Sequence, residues 1–299
     1  MTRERLIGIG CATLSVVLFA SFTLVSRLGL SSKLRFTDLA ALRFGIGGMV
    51  LFPALLRADL RHLSWKDAGR LALFGGLGFA PLAYAGFSLA PAAHGAVLLH
   101  GTLPLFTLAV MRVASPREVG GPRIAGIVLI AAGILLMACD SANVAGPRQL
   151  LGDAFLLLAS LFWSSYAVLS RRLGLPAATG AAVVAVVSLC AFLPIYALWP
   201  GKALLTVGLG ELLLQAAVQG VLIGAVSIFV YTRAVAALGP STTALFAAAV
   251  PVITTLVGIP LLAESPGGIA LGGVGAVTLG MVIAARRVNQ AAPTASAAR

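Results

Sequence analysis

The chain has 299 residues, of which 60% are hydrophobic and 10% charged, and its mean hydropathy is +1.04. A water-soluble domain is excluded, because this composition supplies too few polar groups to cover its surface. The net charge of +12 is compatible with nucleic-acid binding. However, the basic residues lie in the short segments between apolar stretches, where membrane orientation places them, so no nucleic-acid partner is expected.

Ten apolar stretches follow one another along the chain. They cover residues 6–29, 37–56, 71–90, 92–111, 124–138, 152–170, 177–198, 212–238, 241–262 and 267–285. A membrane-spanning helix needs about 20 predominantly apolar residues, and the alternating pattern of a transmembrane barrel is absent from the sequence. The sequence therefore predicts an all-α integral membrane protein with ten transmembrane helices. The first stretch is too long for a signal-peptide core and lacks a small-residue cleavage site, so it is expected to remain as helix 1.

The basic residues are divided unequally between the two sides of this predicted bundle. On the side of the N-terminus they are Arg3, Arg5, Arg57, Arg61, Lys66, Arg70, Arg112, Arg117, Arg123, Arg171, Arg172, Arg286, Arg287 and Arg299. On the opposite side they are Arg27, Lys33, Arg35, Arg148 and Lys202. Because cytoplasmic loops carry the excess of positive charge, both termini are predicted to be cytoplasmic.

One pattern occurs twice, at residues 84–118 and 231–264. In both copies a tyrosine stands 20 residues before a proline, and a glutamate follows 14 or 13 residues after the proline. These residues are Tyr84, Pro104 and Glu118 in the first copy and Tyr231, Pro251 and Glu264 in the second. The copies lie 147 residues apart, about half of the chain, which predicts two homologous halves. With five helices in each half, the second half is inverted, so superposing the halves is expected to require a rotation of about 180° around an axis in the membrane plane.

The repeat also predicts the division of the chain. The first five-helix repeat is expected at 1–138, a polar linker rich in helix breakers at 139–151, and the inverted second repeat at 152–285. The small, polar tail at 286–299 is expected to be cytoplasmic and disordered.

The segment ALRFGIGGMVLFP in helix 2 and the repeated tyrosine, proline and glutamate resemble the EamA-type branch of the drug/metabolite transporter superfamily. The resemblance extends over residues 6–285. It implies a bacterial inner-membrane exporter of amino acids and other small metabolites, including the aromatic amino-acid subgroup, that works by alternating access. The arginine of the helix 2 pattern falls on Arg43, and helix 7 of the second half has no equivalent.

Trp163 is the first candidate for a substrate site. Tryptophans in membrane proteins normally lie in the interfacial belts, yet Trp163 is near the middle of helix 6. With Ser164, Ser165 and Tyr166 it forms the polar and aromatic sequence WSSY, which suits an organic substrate carrying an ammonium or carboxylate. The alternative is that the serines allow close helix packing and that Trp163 faces lipid.

His94 and His100 are ionisable groups on helix 4, with His100 near the midplane. They lie six residues apart, about 120° around the helix, so both cannot point straight at one ligand. The alternative is hydrogen bonding to a neighbouring helix. Tyr84 and Tyr231 occupy symmetry-related depths, where they are expected to act in the site, in closing a gate, or in core packing.

Other polar groups at membrane depth also need partners. Gln219 is a further binding candidate, and it must point inward or pair with Gln215 one turn away. Arg43 either snorkels to the outer headgroups, which is the favoured interpretation, or attracts an anionic group. Pro104 and Pro251 each free a backbone carbonyl in mid-helix, which is interpreted as binding substrate or serving as a flexing point, with a purely structural kink as the alternative.

Catalysis and cofactors find no support in the sequence. There is no HExxH, GxSxG or phosphate-binding GxxxxGK[ST] motif, and the three cysteines have no metal-ligand spacing, so neither a cofactor nor a metal is expected. Small residues at every fourth position from Gly268 to Ala284 are interpreted as packing against helix 5 rather than as a dimer contact. A monomer is favoured, with the oligomeric state left open.

The sequence thus predicts a transporter that exports small organic solutes, amino acids or related amines, across the bacterial inner membrane. Alternatives are a transporter of another metabolite, such as a sugar or purine derivative, and an intramembrane enzyme acting on a lipid-linked substrate. A passive channel or receptor is a further alternative.

Overall fold

The computed structural model describes residues 2–114, 124–144 and 146–286, and these residues form ten helices. They are α1 (Arg3–Leu30), α2 (Phe36–Leu56), α3 (Trp65–Leu89), α4 (Ala92–Ala114), α5 (Ile124–Val144), α6 (Pro147–Leu173), α7 (Ala177–Leu198), α8 (Leu209–Leu238), α9 (Pro240–Leu262) and α10 (Gly268–Arg286). Among the described helices, α1 to α9 are long and apolar enough to cross a bilayer, and the apolar part of α10, Gly268–Ile283, is somewhat shorter. The predicted ten-helix, all-α architecture is confirmed.

Some helices extend beyond their apolar stretches. The start of α3 lies at Trp65, six residues before the predicted stretch, because Ser64 caps it. The Ser64 hydroxyl accepts a hydrogen bond from the backbone N–H of Asp67 at 3.1 Å and donates one to the Asp67 carboxylate at 2.7 Å. A serine cap followed by an acidic residue in the first turn stabilises a helix start whatever its hydropathy.

The predicted linker at 139–151 is mostly helical. Helix α5 continues to Val144, and α6 begins at Pro147, where a proline is tolerated because the first helical N–H needs no intrahelical partner. Several polar side chains of this segment point inward and bond to one another, as described below, which accounts for the continued helices.

Helices α5 and α10 pack closely through glycines. A Cβ atom on Gly280 would lie 2.8 Å from the carbonyl oxygen of Gly126, and one on Gly273 would lie 3.2 Å from that of Gly133. The prediction that α10 packs against α5 is therefore confirmed. Of the predicted small residues, however, Gly272 is exposed, and its neighbour Gly273 makes the contact instead.

Helices α2 and α8 cross at a second glycine contact. A Cβ atom on Gly47 would lie 2.8 Å from backbone atoms of Gly224, and one on Gly224 would lie 2.5 Å from the carbonyl oxygen of Arg43. Because Arg43 and Gly47 are one turn apart, this close crossing fixes their face of α2 against the second half of the chain.

Irregular backbone occurs at matching places in the two halves. The π-helical segment Leu73–Leu77 of α3 corresponds, 147 residues later, to part of the π-helical segment Ala216–Ser227 of α8. Likewise α4 is π-helical over Gly95–Gly101, and α9 is interrupted by a turn at 247–248. These last two irregularities directly precede Pro104 and Pro251. Each proline has no N–H to donate to the carbonyl four residues before it, and its ring clashes with that carbonyl, so the helix becomes irregular there.

Candidate functional site

An aromatic cluster occupies the centre of the bundle. The ring of Trp163 on α6 lies 4.6 Å from Phe79 on α3, 5.0 Å from Tyr231 on α8 and 5.9 Å from Phe19 on α1, centroid to centroid. Trp163 is only 2% exposed, so it does not face lipid. Both halves of the chain contribute to this cluster.

His100 belongs to the same cluster. Its ring stacks on Phe19 at 4.8 Å, and its Nε2 atom lies 3.4 Å from the hydroxyl of Thr23. The π-helical segment of α4 carries His100, which is buried. The predictions for Trp163, Tyr231 and His100 thus converge on one place, although only their depth could be inferred from the sequence.

Two polar atoms in this cluster have no hydrogen-bond partner among the described residues. They are the indole Nε1 of Trp163 and the hydroxyl of Tyr231, both fully buried, which lie near each other but outside normal hydrogen-bond geometry. The neighbouring hydroxyl of Tyr166, in contrast, bonds to that of Thr232 at 2.5 Å. Leaving a buried polar group unpaired costs about 1–3 kcal/mol, so Trp163 and Tyr231 present unmet hydrogen-bonding capacity at the centre of the bundle.

Tyr84 and Gln219 form a separate polar chain nearby. The Tyr84 hydroxyl donates to Gln219 Oε1 at 3.0 Å, and Gln219 Nε2 donates to the Ser26 hydroxyl at 3.1 Å and to Gln215 Oε1 at 3.3 Å. Gln215 in turn donates to the carbonyl oxygen of Val25 at 2.9 Å. The predicted pairing of the two glutamines is confirmed, and the chain of bonds links α1, α3 and α8.

Arg43 is buried and does not snorkel. Its exposed fraction is 2%, and its guanidinium carbon lies 5.4 Å and 5.2 Å from the ring centres of Phe22 and Phe79. None of its three guanidinium nitrogens has a hydrogen-bond partner among the described residues. The favoured prediction of snorkelling is wrong, because the Gly47–Gly224 crossing turns this face of α2 into the bundle.

His94 lies apart from this central region, at the end of the bundle opposite the N-terminus. Its Nδ1 atom is 3.0 Å from an Asp153 oxygen, and its Nε2 atom is 3.2 Å from an Asp140 oxygen. Ser141 bonds to Asp153, and Gln149 Nε2 donates to Ser141 at 3.0 Å. These contacts tie together α4, α5 and α6. Sequence reasoning missed both aspartates as partners, since Asp140 falls in the predicted linker.

An ion pair lies at the same end of the bundle. Arg27 donates to Glu264 from Nε at 3.0 Å and from Nη2 at 2.8 Å, and from Nη1 to the carbonyl oxygen of Phe87 at 2.7 Å. The other oxygen of Glu264 accepts the backbone N–H of Ala92, at the start of α4, at 2.7 Å. A cavity of about 310 Å³ lies between this pair and His94.

The remaining candidate residues lie outside the aromatic cluster or the described chain. Ser164 bonds to Thr107 at 3.3 Å, and Ser165 bonds to the carbonyl oxygen of its own helix at Leu161. Their role in binding stays a prediction. Glu118, the counterpart of Glu264, lies outside the described residues.

The chain matches the family described as the EamA-like transporter family over residues 6–139 and again over 150–286. It belongs to this family. The two matched segments correspond to the two five-helix halves, and together they take in every residue of the aromatic cluster. The family is one of membrane transporters rather than of enzymes, so this chain is a multi-pass membrane protein of the transporter class.

A solved structure titled "Crystal structure of protein" is similar over 98% of this chain and 99% of its own, with a TM-score of 0.62 and 23% sequence identity. This likeness shows the fold. No curated protein matches the chain.

Proposed function

We propose that this EamA-family protein exports small organic solutes, amino acids or related amines, across a bacterial inner membrane by alternating access. The observation that carries the proposal is the unmet hydrogen-bonding capacity of Trp163 and Tyr231 in the central aromatic cluster. Aromatic faces attract an ammonium group, and the free N–H and hydroxyl offer hydrogen bonds that orient a polar organic ligand.

Alternating access is supported by similar contacts at the two ends of the bundle. At one end Arg27 of α1 donates to the carbonyl oxygen of Phe87 on α3. At the other end Arg171 of α6 donates to that of Ala236 on α8. These helices are the first and third of their halves, so the two ends carry equivalent contacts that can close and open in turn.

Flux in proteoliposomes tests the proposal. Purified protein is reconstituted, and the efflux of labelled amino acids, amines, sugars and purine derivatives is compared with that from protein-free liposomes. We expect efflux of amino acids or amines above the protein-free rate. Efflux of sugars or purine derivatives alone would show that amino acids and amines are not the substrates. The absence of any efflux would contradict the proposal of transport.

The orientation is tested separately with a reporter enzyme that is active only in the periplasm. Because basic residues are concentrated on the side of the termini, we expect a fusion after Arg287 to be silent. A fusion after Lys202, on the opposite side, is the matched control and is expected to be active. An active fusion after Arg287 together with a silent fusion after Lys202 would show that the termini lie on the periplasmic side.

A further inference from the structure

Arg43 is a buried cation without a counter-ion in the described part of the chain. Each of the eight described carboxylates has another partner. Asp38 accepts from Tyr196, Asp140 and Asp153 contact His94, Glu211 accepts from Ser32, Glu264 pairs with Arg27, and Glu4, Asp59 and Asp67 pair with Arg233, Arg61 and Arg70. A buried charge is normally paired and hydrogen-bonded, because removing it from water is costly.

The surroundings of Arg43 supply attraction but no balancing charge. The guanidinium lies over the rings of Phe22 and Phe79, which favours a cation without using its N–H donors. The hydroxyl of Tyr84 lies near enough to the guanidinium to accept at most one hydrogen bond outside normal geometry, but it is neutral and donates its own proton to Gln219. A guanidinium offers five N–H donors in one plane, an arrangement that matches the two oxygens of a carboxylate.

We propose that Arg43 binds the carboxylate of the transported solute. This inference rests on the proposed function, and it selects amino acids over simple amines within the proposed substrate class. Phe79 connects Arg43 to the aromatic cluster, since its ring lies 5.2 Å from the Arg43 guanidinium carbon and 4.6 Å from the ring of Trp163. A solute whose carboxylate reaches Arg43 therefore places its remaining groups beside the cluster.

Matched ligand pairs test this assignment. Each amino acid of the flux panel is compared with the amine made by removing its carboxylate, using binding to the purified full-length protein. We expect the wild type to bind the amino acid about 10- to 100-fold more tightly than the amine, as is typical for hydrogen bonds to a charged group. In Arg43→Met this ratio is expected to fall to about 1.

Arg233→Met is the control for the loss of one positive charge. Arg233 forms an exposed pair with Glu4 at the end of the bundle that carries the N-terminus, away from Arg43, so the amino-acid-to-amine ratio should stay at the wild-type value. Arg43→Lys keeps the charge but loses the planar fork, and it is expected to give an intermediate ratio.

Thermal unfolding separates binding from a structural role. Because an unpaired buried charge destabilises the ligand-free protein, Arg43→Met should unfold at a Tm equal to or above that of the wild type. An amino acid should raise the Tm of the wild type and not that of Arg43→Met. A rise of equal size with inorganic phosphate would overturn the assignment to a substrate carboxylate.

The outcomes distinguish this inference from the proposed function. If the wild type transports nothing in the panel, the proposed function fails. If it transports and binds amino acids and their matched amines equally well, only the carboxylate assignment fails. A lower Tm or loss of folding in Arg43→Met, with the wild-type ratio kept in Arg43→Lys, would show that Arg43 is structural and would overturn the proposal.

Discussion

Trp163→Ala is expected to lower the affinity for the transported solute by about 5- to 150-fold, and flux at subsaturating solute should fall with it. The physical reason is the loss of about 1–3 kcal/mol from an aromatic face and its N–H donor at the centre of the site. Trp163 contacts Phe79, Tyr231 and Phe19, so its removal also opens the aromatic cluster contributed by both halves. Binding and efflux are measured on the same purified preparation.

Trp65→Ala is the matched control for this experiment. Trp65 is 79% exposed at the start of α3, and the same substitution there should leave flux unchanged. His100→Ala is a second variant within the cluster, where we expect a loss in the same direction. All variants are compared at equal membrane abundance, so that misfolding is not mistaken for lost binding. Wild-type flux in both Trp163→Ala and His100→Ala across the panel would show that these residues only pack.

The helices and their number could be predicted from the sequence because they depend on local properties. The length of an apolar stretch determines whether it can span a bilayer, and this holds whatever its neighbours are. The 147-residue spacing between Tyr84 and Tyr231 likewise predicted related halves, and the π-helical segments of α3 and α8 recur at that spacing. The segment 139–151 was harder to predict because its polar residues, such as Asp140, are stabilised by partners on other helices.

The direction in which a side chain points depends on packing between helices, which one sequence does not contain. The position of Trp163 and His100 along their predicted helices was enough to place them correctly near the centre of the bundle. Depth gave the wrong interpretation for Arg43, because the contact between Gly47 and Gly224 that turns it inward joins segments far apart in the chain. The 120° separation of His94 from His100 around their helix indicated that they do not share one ligand, and the structure places these two residues in different clusters.

The Arg27–Glu264 pair is expected to hold one end of the bundle closed. Its hydrogen bonds join α1 to the segment that directly follows α9, and they reach α3 through the Phe87 carbonyl and α4 through the Ala92 N–H. Both side chains are about one-fifth exposed, so the pair is shielded from solvent more than an ordinary surface ion pair. A closed end that depends on one glutamate should open when its charge is removed.

Glu264→Gln is therefore expected to shift this end toward the open state by about 10- to 100-fold, since hydrogen bonds to a charged group contribute about 1.5–3 kcal/mol. The measurement is the rate at which a membrane-impermeant maleimide labels a cysteine at position 93, where Ala93 is buried against the cavity. The protein for this experiment has Cys11, Cys139 and Cys190 replaced by alanine.

Glu4→Gln is the matched control, because it removes the same charge from the exposed pair with Arg233 at the opposite end. Labelling at position 93 should keep the wild-type rate in Glu4→Gln and rise in Glu264→Gln. Adding Arg27→Gln to Glu264→Gln also removes the hydrogen bond from Arg27 to the Phe87 carbonyl, so any further rise in the labelling rate measures the contribution of that second contact. Equal labelling rates in the two single variants would mean that the Arg27–Glu264 pair does not control closure, and that the packing of α1, α4 and α9 holds this end closed without it.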